Sequence, residues 1–195
     1  MLKLRIKGIS VELSVLFFAA AVVWLSMDQS HTAALCLLAS LIHELGHMGV
    51  MLYYGVKPKR ICAGLFGVRI EQQDGISLSY RQQMVLSLAG PAVNLVVGMG
   101  LCILQGFGIA AAVNLLLAGL NLLPIQALDG GQALYAFLAS RREEQQAQKI
   151  VFIISIAVLL PLATAGFFVL IRSGYNFTLL AACVYLILLL FIRPW

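Results

Sequence analysis

The chain has 195 residues, of which 62% are hydrophobic and 11% charged, and carries a formal net charge of +5. Soluble domains are about 45–50% apolar and about 25% charged, so this balance excludes a water-soluble globular domain and points to a multi-pass membrane protein. In such a chain the basic excess is read as loop topology, not as a nucleic-acid footprint, and no nucleic-acid partner is expected.

In chain order, the first apolar run covers about 11–27 and follows Lys3, Arg5 and Lys7. No small-residue cleavage site follows it, so it reads as a retained anchor and not a removed signal peptide. The second run, 32–54, holds "LLASLIHELGHMGVMLYY" from Leu37 to Tyr54. After it, Arg60–Tyr80 alternates apolar and polar residues at Val68, Ile70, Ile76, Leu78 and Tyr80 around Asp74-Gly75. That pattern predicts a small β-hairpin on the cytoplasmic side. Runs at 83–104 and 107–128 come next. Pro124 within "NLLPIQALDGGQ" should break the latter before its end, and Asp129-Gly130-Gly131 reads as turn chemistry. "SRREEQQAQK" (Ser140–Lys149) reads as a solvated helical face, before final runs at 150–171 and 176–192.

With the N-terminus cytoplasmic, all basic residues except Arg172 fall on the cytoplasmic side of this six-span layout. The expected fold is therefore an all-α polytopic protein of the cell membrane. It has about six transmembrane helices, a small hairpin, and both termini cytoplasmic. Residues 1–195 read as one membrane-embedded domain with a core at about 32–132 and no separate regulatory domain. Cys36, Cys62, Cys102 and Cys183 form no CxxC pair, so they read as small buried hydrophobes and not as a disulfide framework or zinc site.

The chemistry lies in His43-Glu44-Leu45-Gly46-His47, an H-E-x-x-H motif. At about 100° per residue the two histidines fall roughly 40° apart on one helical face. Imidazoles so placed can share one Zn²⁺, with Glu44 beside them as a general base. Ionisable residues inside a span are costly and face the bundle interior or water, so a functional role is favoured over structural burial. If Tyr53 and Tyr54 mark the interface, His47 lies about 9 Å and His43 about 15 Å below it.

A catalytic zinc wants three protein ligands and an open position. His31, about twelve residues and roughly 18 Å of helix from His43, reads as a surface histidine. Of the acidic residues, Asp129 alone follows an apolar span and a proline break on the cytoplasmic side, which favours a ligand over a plain turn residue. An unwound segment after Pro124 would carry it to the depth of the histidines.

The pairing of "HELGH" with "NLLPIQALDGG" (Asn121–Gly131), and "AGPAVN" (Ala89–Asn94) between them, resembles the site-2 protease family of intramembrane zinc metalloproteases. The layout looks most like its sporulation factor IVFB-like branch. The resemblance covers the second to fourth spans and the hairpin, about half the chain. It implies zinc binding by His43, His47 and Asp129, and water activation by Glu44. Asn94 and Asn121 match family asparagines that aid substrate or oxyanion binding; an interhelical hydrogen bond is the competing role for each. The implied activity is hydrolysis, with one zinc ion, of a peptide bond in or near the membrane segment of a membrane-associated protein, such as a pro-sigma or anti-sigma factor. Membrane regulatory or inhibitory proteins are further implied partners. Two features depart from the family pattern: Ala127 stands where many relatives have proline, and the chain stops at Trp195 without the branch's nucleotide-binding cystathionine-β-synthase (CBS) domain. The competing classes are a membrane metal transporter and an inactive zinc-binding scaffold. The transporter predicts a second polar cluster along a path, which the other spans lack, and leaves Glu44 without a task.

Overall fold

A computed structural model describes residues 2–6, 9–13, 15–28, 30–56, 58–64, 67–72 and 78–192. Its elements are β1 (Leu2–Ile6), β2 (Ile9–Leu13), α1 (Val15–Met27), α2 (Thr32–Tyr53), β3 (Pro58–Gly64) and β4 (Gly67–Gln72). Then follow α3 (Tyr80–Gln105), α4 (Ile109–Asn121), α5 (Asp129–Ala139), α6 (Glu144–Ser173) and α7 (Thr178–Ile192). They form two compact units, Met1–Leu78 with Ala89–Ala118, and Ser79–Leu88 with Gly119–Trp195.

Among the described residues, α2, α3 and α6 are long and apolar enough to cross a membrane. The 22 residues of α2 rise about 33 Å, just over the roughly 30 Å of a hydrocarbon core. Large apolar side chains stand on the outside of these helices, with Ile103 84% exposed, an arrangement suited to lipid and not to water. By length, α4 and α7 fall short at 13 and 15 residues.

The N-terminal region differs from expectation. Leu2, Leu4 and Ile6 alternate with Lys3 and Arg5, and this period of two forms β1. It pairs antiparallel with β2, which takes the place of the first residues of the predicted span; α1 begins only at Val15. Strand β2 in turn pairs parallel with β3, giving one sheet in the order β1-β2-β3-β4. The antiparallel β3–β4 pair sets Gly64 beside Gly67, and the expected turn at Asp74-Gly75 lies outside the described residues. Tyr80, expected in a strand, opens α3 instead.

Helix α2 starts without a side-chain cap from its own N-cap residue, His31, whose φ is 57°. Asp28 takes over: its carboxylate accepts from the backbone N–H groups of Ser30 and Ala33. The Ser30 hydroxyl and these amides hold the Asp28 carboxyl below its ordinary pKa. His31 is exposed, as expected.

In the second unit, α4 stops at Asn121, three residues before Pro124. A prolyl ring in the helix would clash with the carbonyl four residues back and would donate no hydrogen bond. The loop that follows is buried, with Ile125 and Gln126 inside, so its backbone polar groups need protein partners. They have them. Gln126 N–H donates to Ser155 Oγ at 2.8 Å, and that hydroxyl donates to the Val151 carbonyl at 2.7 Å. The Gln126 carbonyl accepts from Gln132 Nε2 at 2.9 Å, and Leu128 N–H donates to the Ile125 carbonyl. Helix α5 packs on α6, and α6 on α7. Ser155→Ala would strand the buried Gln126 N–H. We expect a loss of about 1–3 kcal/mol, read as a lower thermal unfolding midpoint in detergent.

Candidate metal centre

The first unit holds the motif. One turn apart on α2, His43 and His47 turn their Nε2 atoms toward each other at 3.2 Å, with ring centroids 4.8 Å apart and planes at 77°. His43 is 6% exposed, and Glu44 and His47 are half-buried. Leu38, Leu41, Leu45 and Leu52 occupy the exposed side of the same helix. The helix therefore separates an apolar face from a face that carries all the ionisable groups of the motif.

The spacing of the two nitrogens is chemically specific. Neutral imidazoles each have one acceptor nitrogen, so two facing Nε2 atoms must share a proton or a cation. Two imidazole ligands on tetrahedral zinc at 2.0–2.1 Å sit about 3.3–3.4 Å apart. The observed separation matches that demand before any movement.

Helix α3 shapes the space beside them. Gly90 lies so close that a Cβ there would come 2.7 Å from His43 Nε2 and closer still to His47 Nε2. Gly46, between the histidines, meets the Ala89 carbonyl and Val93 in the same tight way. The family resemblance points to Asn94 in "AGPAVN" and not to Gly90. The signal for Gly90 was a residue without a side chain at the centre of a span, next to Pro91.

Asn94 is fully buried. Its Nδ2 donates to the Ala39 carbonyl of α2 at 3.2 Å, and its Oδ1 has no hydrogen-bond partner among the described residues. Asn121 ends α4 and is half-buried.

In the second unit Asp129 is the first residue of α5, following Leu128 in extended conformation (φ −108°, ψ 163°). The expected turn is thus a helix start, where the N-terminal dipole favours a carboxylate. Gly130 and Gly131 are buried, and added Cβ atoms would strike the carbonyls of Leu122 and Ile125. The glycines mark close packing of the first helical turn on the preceding loop. Asp129 itself is half-buried. His43, His47 and Asp129 each offer one ligand atom, two imidazole nitrogens and one carboxylate oxygen, a donor set that could hold a metal ion.

Known proteins similar to this chain include metalloproteases. Residues 102–162 match the model of peptidase family M50. A zinc metalloprotease of Methanocaldococcus jannaschii is 29% identical over 164 residues, covering 75% of this chain and 48% of that protein. Stage IV sporulation protein FB of Bacillus subtilis is 28% identical over 127 residues, 60% of this chain and 44% of that protein. The chain thus spans about half the length of these curated relatives. Among solved structures, a site-2 protease from Methanocaldococcus jannaschii superposes with a TM-score of 0.67 at 25% identity. That match covers 95% of this chain and 91% of the solved one. Residues 102–162 are thus similar to peptidase family M50, and the fold is similar to that of the solved site-2 protease. In sequence the chain is similar to zinc metalloproteases, and in fold to a site-2 protease.

Proposed function

We propose that this chain is an intramembrane zinc metallopeptidase that hydrolyses a peptide bond in or near the membrane segment of a membrane-associated protein. The observation that carries the reading is the pair of histidine nitrogens, 3.2 Å apart, on a helix long and apolar enough to span a bilayer. His43, His47 and Asp129 would hold one Zn²⁺. Zinc, when bound, would supply a Lewis acid that lowers the pKa of water to about 7 and polarises the scissile carbonyl. Glu44 accepts a proton from the attacking water and returns it to the leaving amine as the C–N bond breaks. Asn121, half-buried at the end of α4, is a candidate for contact with the unwound substrate.

The catalytic core at about 32–132 sits in one membrane-embedded domain of six passes, with both termini and access to the site on the cytoplasmic side. A pro-sigma or anti-sigma factor is the substrate class suggested by the likeness to the sporulation protein, and membrane regulators or inhibitors are further partners.

Two measurements test the reading. Purified protein should hold one zinc per chain, and Asp129→Ala should lose it; retention of stoichiometric zinc would sink the ligand set. Co-expression with membrane-anchored precursors should yield a shortened product. Bound zinc with metal transit and no proteolysis would instead favour the transporter, and bound zinc with neither would favour a scaffold.

A further inference from the structure

We infer that Asn94 is a positioning residue for the histidine pair and sets the register of α3 against α2. The inference rests on the metal-site reading above and deepens it.

The contact between the two helices is made largely of small groups, Ala39, Gly46, Ala89 and Gly90, with Val93 against Gly46. Along α2 the sequence of contacts is Ala39, His43, Gly46; along α3 the partners run backwards as Asn94, Gly90, Ala89. The helices are therefore antiparallel here, and each step is about one helical turn or less. Alanine and glycine surfaces allow close approach, yet they offer few knobs to stop one helix sliding along the other. The position most sensitive to a slide is Gly90. A slide or rotation that carried Gly90 off this spot would bring the rest of α3 against the imidazole nitrogens, where even one carbon does not fit.

Of the contacts described across this seam, the Asn94 amide makes the directional one. Only Nδ2 can donate to a carbonyl, so the acceptor fixes the amide's orientation. In an α-helix the carbonyl of residue i accepts from the N–H of residue i+4, so the Ala39 carbonyl belongs to the peptide ladder that carries His43. Asn94 thus places a second donor on the acceptor of His43's own amide. It also lies one turn from Gly90. One hydrogen bond links the backbone that carries the first histidine to the turn that must clear both. The side chain is fully buried, and among the described residues its Oδ1 has no partner, so the asparagine is held there by the bond its amide makes.

Cobalt(II) loading provides the test, because visible d–d absorption reports ligand geometry without reference to cleavage. Asn94→Ala empties the site and Asn94→Leu fills it without a donor, so the pair separates the hydrogen bond from packing. Asn114→Ala is the control: Asn114 is also buried in this unit, but its amide bonds the Ala110 carbonyl of its own helix. We expect both Asn94 variants to show an altered cobalt spectrum and about tenfold easier removal of the metal by a chelator. The control should keep the wild-type spectrum. Wild-type spectra and chelator resistance in either folded Asn94 variant would overturn the inference. Wild-type protein that binds no cobalt would instead overturn the metal-site reading on which it rests.

Discussion

A Glu44→Gln variant should keep one zinc per chain and lose cleavage by about 10²–10⁴-fold, the usual contribution of a positioned general acid–base. Glutamine keeps the size and shape of the side chain, so α2 and the spacing of His43 and His47 should be unchanged. What it loses is a basic oxygen. A carboxylate can accept the proton of water at neutral pH and return it to an amine, whereas a primary amide can do neither. Metal analysis and cleavage are measured on the same preparation. A protease predicts that the two separate, with zinc retained and product absent. His43→Ala, by contrast, removes a donor and should lose zinc and cleavage together. Cleavage surviving at near wild-type rate in the glutamine variant would remove Glu44 from the mechanism. Metal transit that the substitution leaves untouched would favour a transporter, because passage of an ion needs ligands and no base.

The motif was legible because helix geometry is regular: four residues make one turn, so the order of letters alone placed His43 and His47 together. The end of α4 was legible for a similar reason, since Pro124 forbids the hydrogen bond and the space that a continuing helix requires. Less visible were features that depend on what a residue lacks or on a distant partner. Gly130 and Gly131 looked like a turn because glycine disfavours helix, yet in α5 they are helical at a point where carbonyls of the preceding loop leave no room for a Cβ. Ser155 gave no signal as the acceptor for Gln126, because that bond joins residues 29 apart. The strands β1 and β2 were overlooked for another reason. Lys3 and Arg5 read as topology signals, which hides the alternation of apolar and polar residues around them. Asn94 was noticed, but a motif does not reveal which way an amide points.

Gly90→Ala should lower metal affinity by at least about 10–100-fold, the range seen when groups supporting a metal site are disturbed. Backbone preference argues the other way. In a helix interior alanine is favoured over glycine by about 0.5–1 kcal/mol, so on propensity alone the substitution would stabilise α3. Sterics decide the sign. The new methyl carbon would lie 2.7 Å from His43 Nε2 and closer to His47 Nε2, distances at which something must move. Neither neighbour is the loose end of a flexible chain. Both are ring atoms whose lone pairs are the proposed ligands, held on a helix whose other face is leucine. Relief therefore comes from rotating the rings away or from parting α3 from α2, and either spoils the 3.2 Å separation. Overpacking of this kind costs about 1–3 kcal/mol, so the protein should still fold, with a lowered thermal midpoint. Gly49→Ala supplies the contrast on α2, because nothing lies within 4 Å of a Cβ there. That variant should bind zinc as wild type does and be neutral or slightly more stable. If Gly90→Ala instead behaved like Gly49→Ala, in zinc content and in melting, the close approach of α3 to the histidine nitrogens would not be a constraint on the metal centre. A weakened site in the first variant and an intact one in the second would show that the seam is built around a missing side chain.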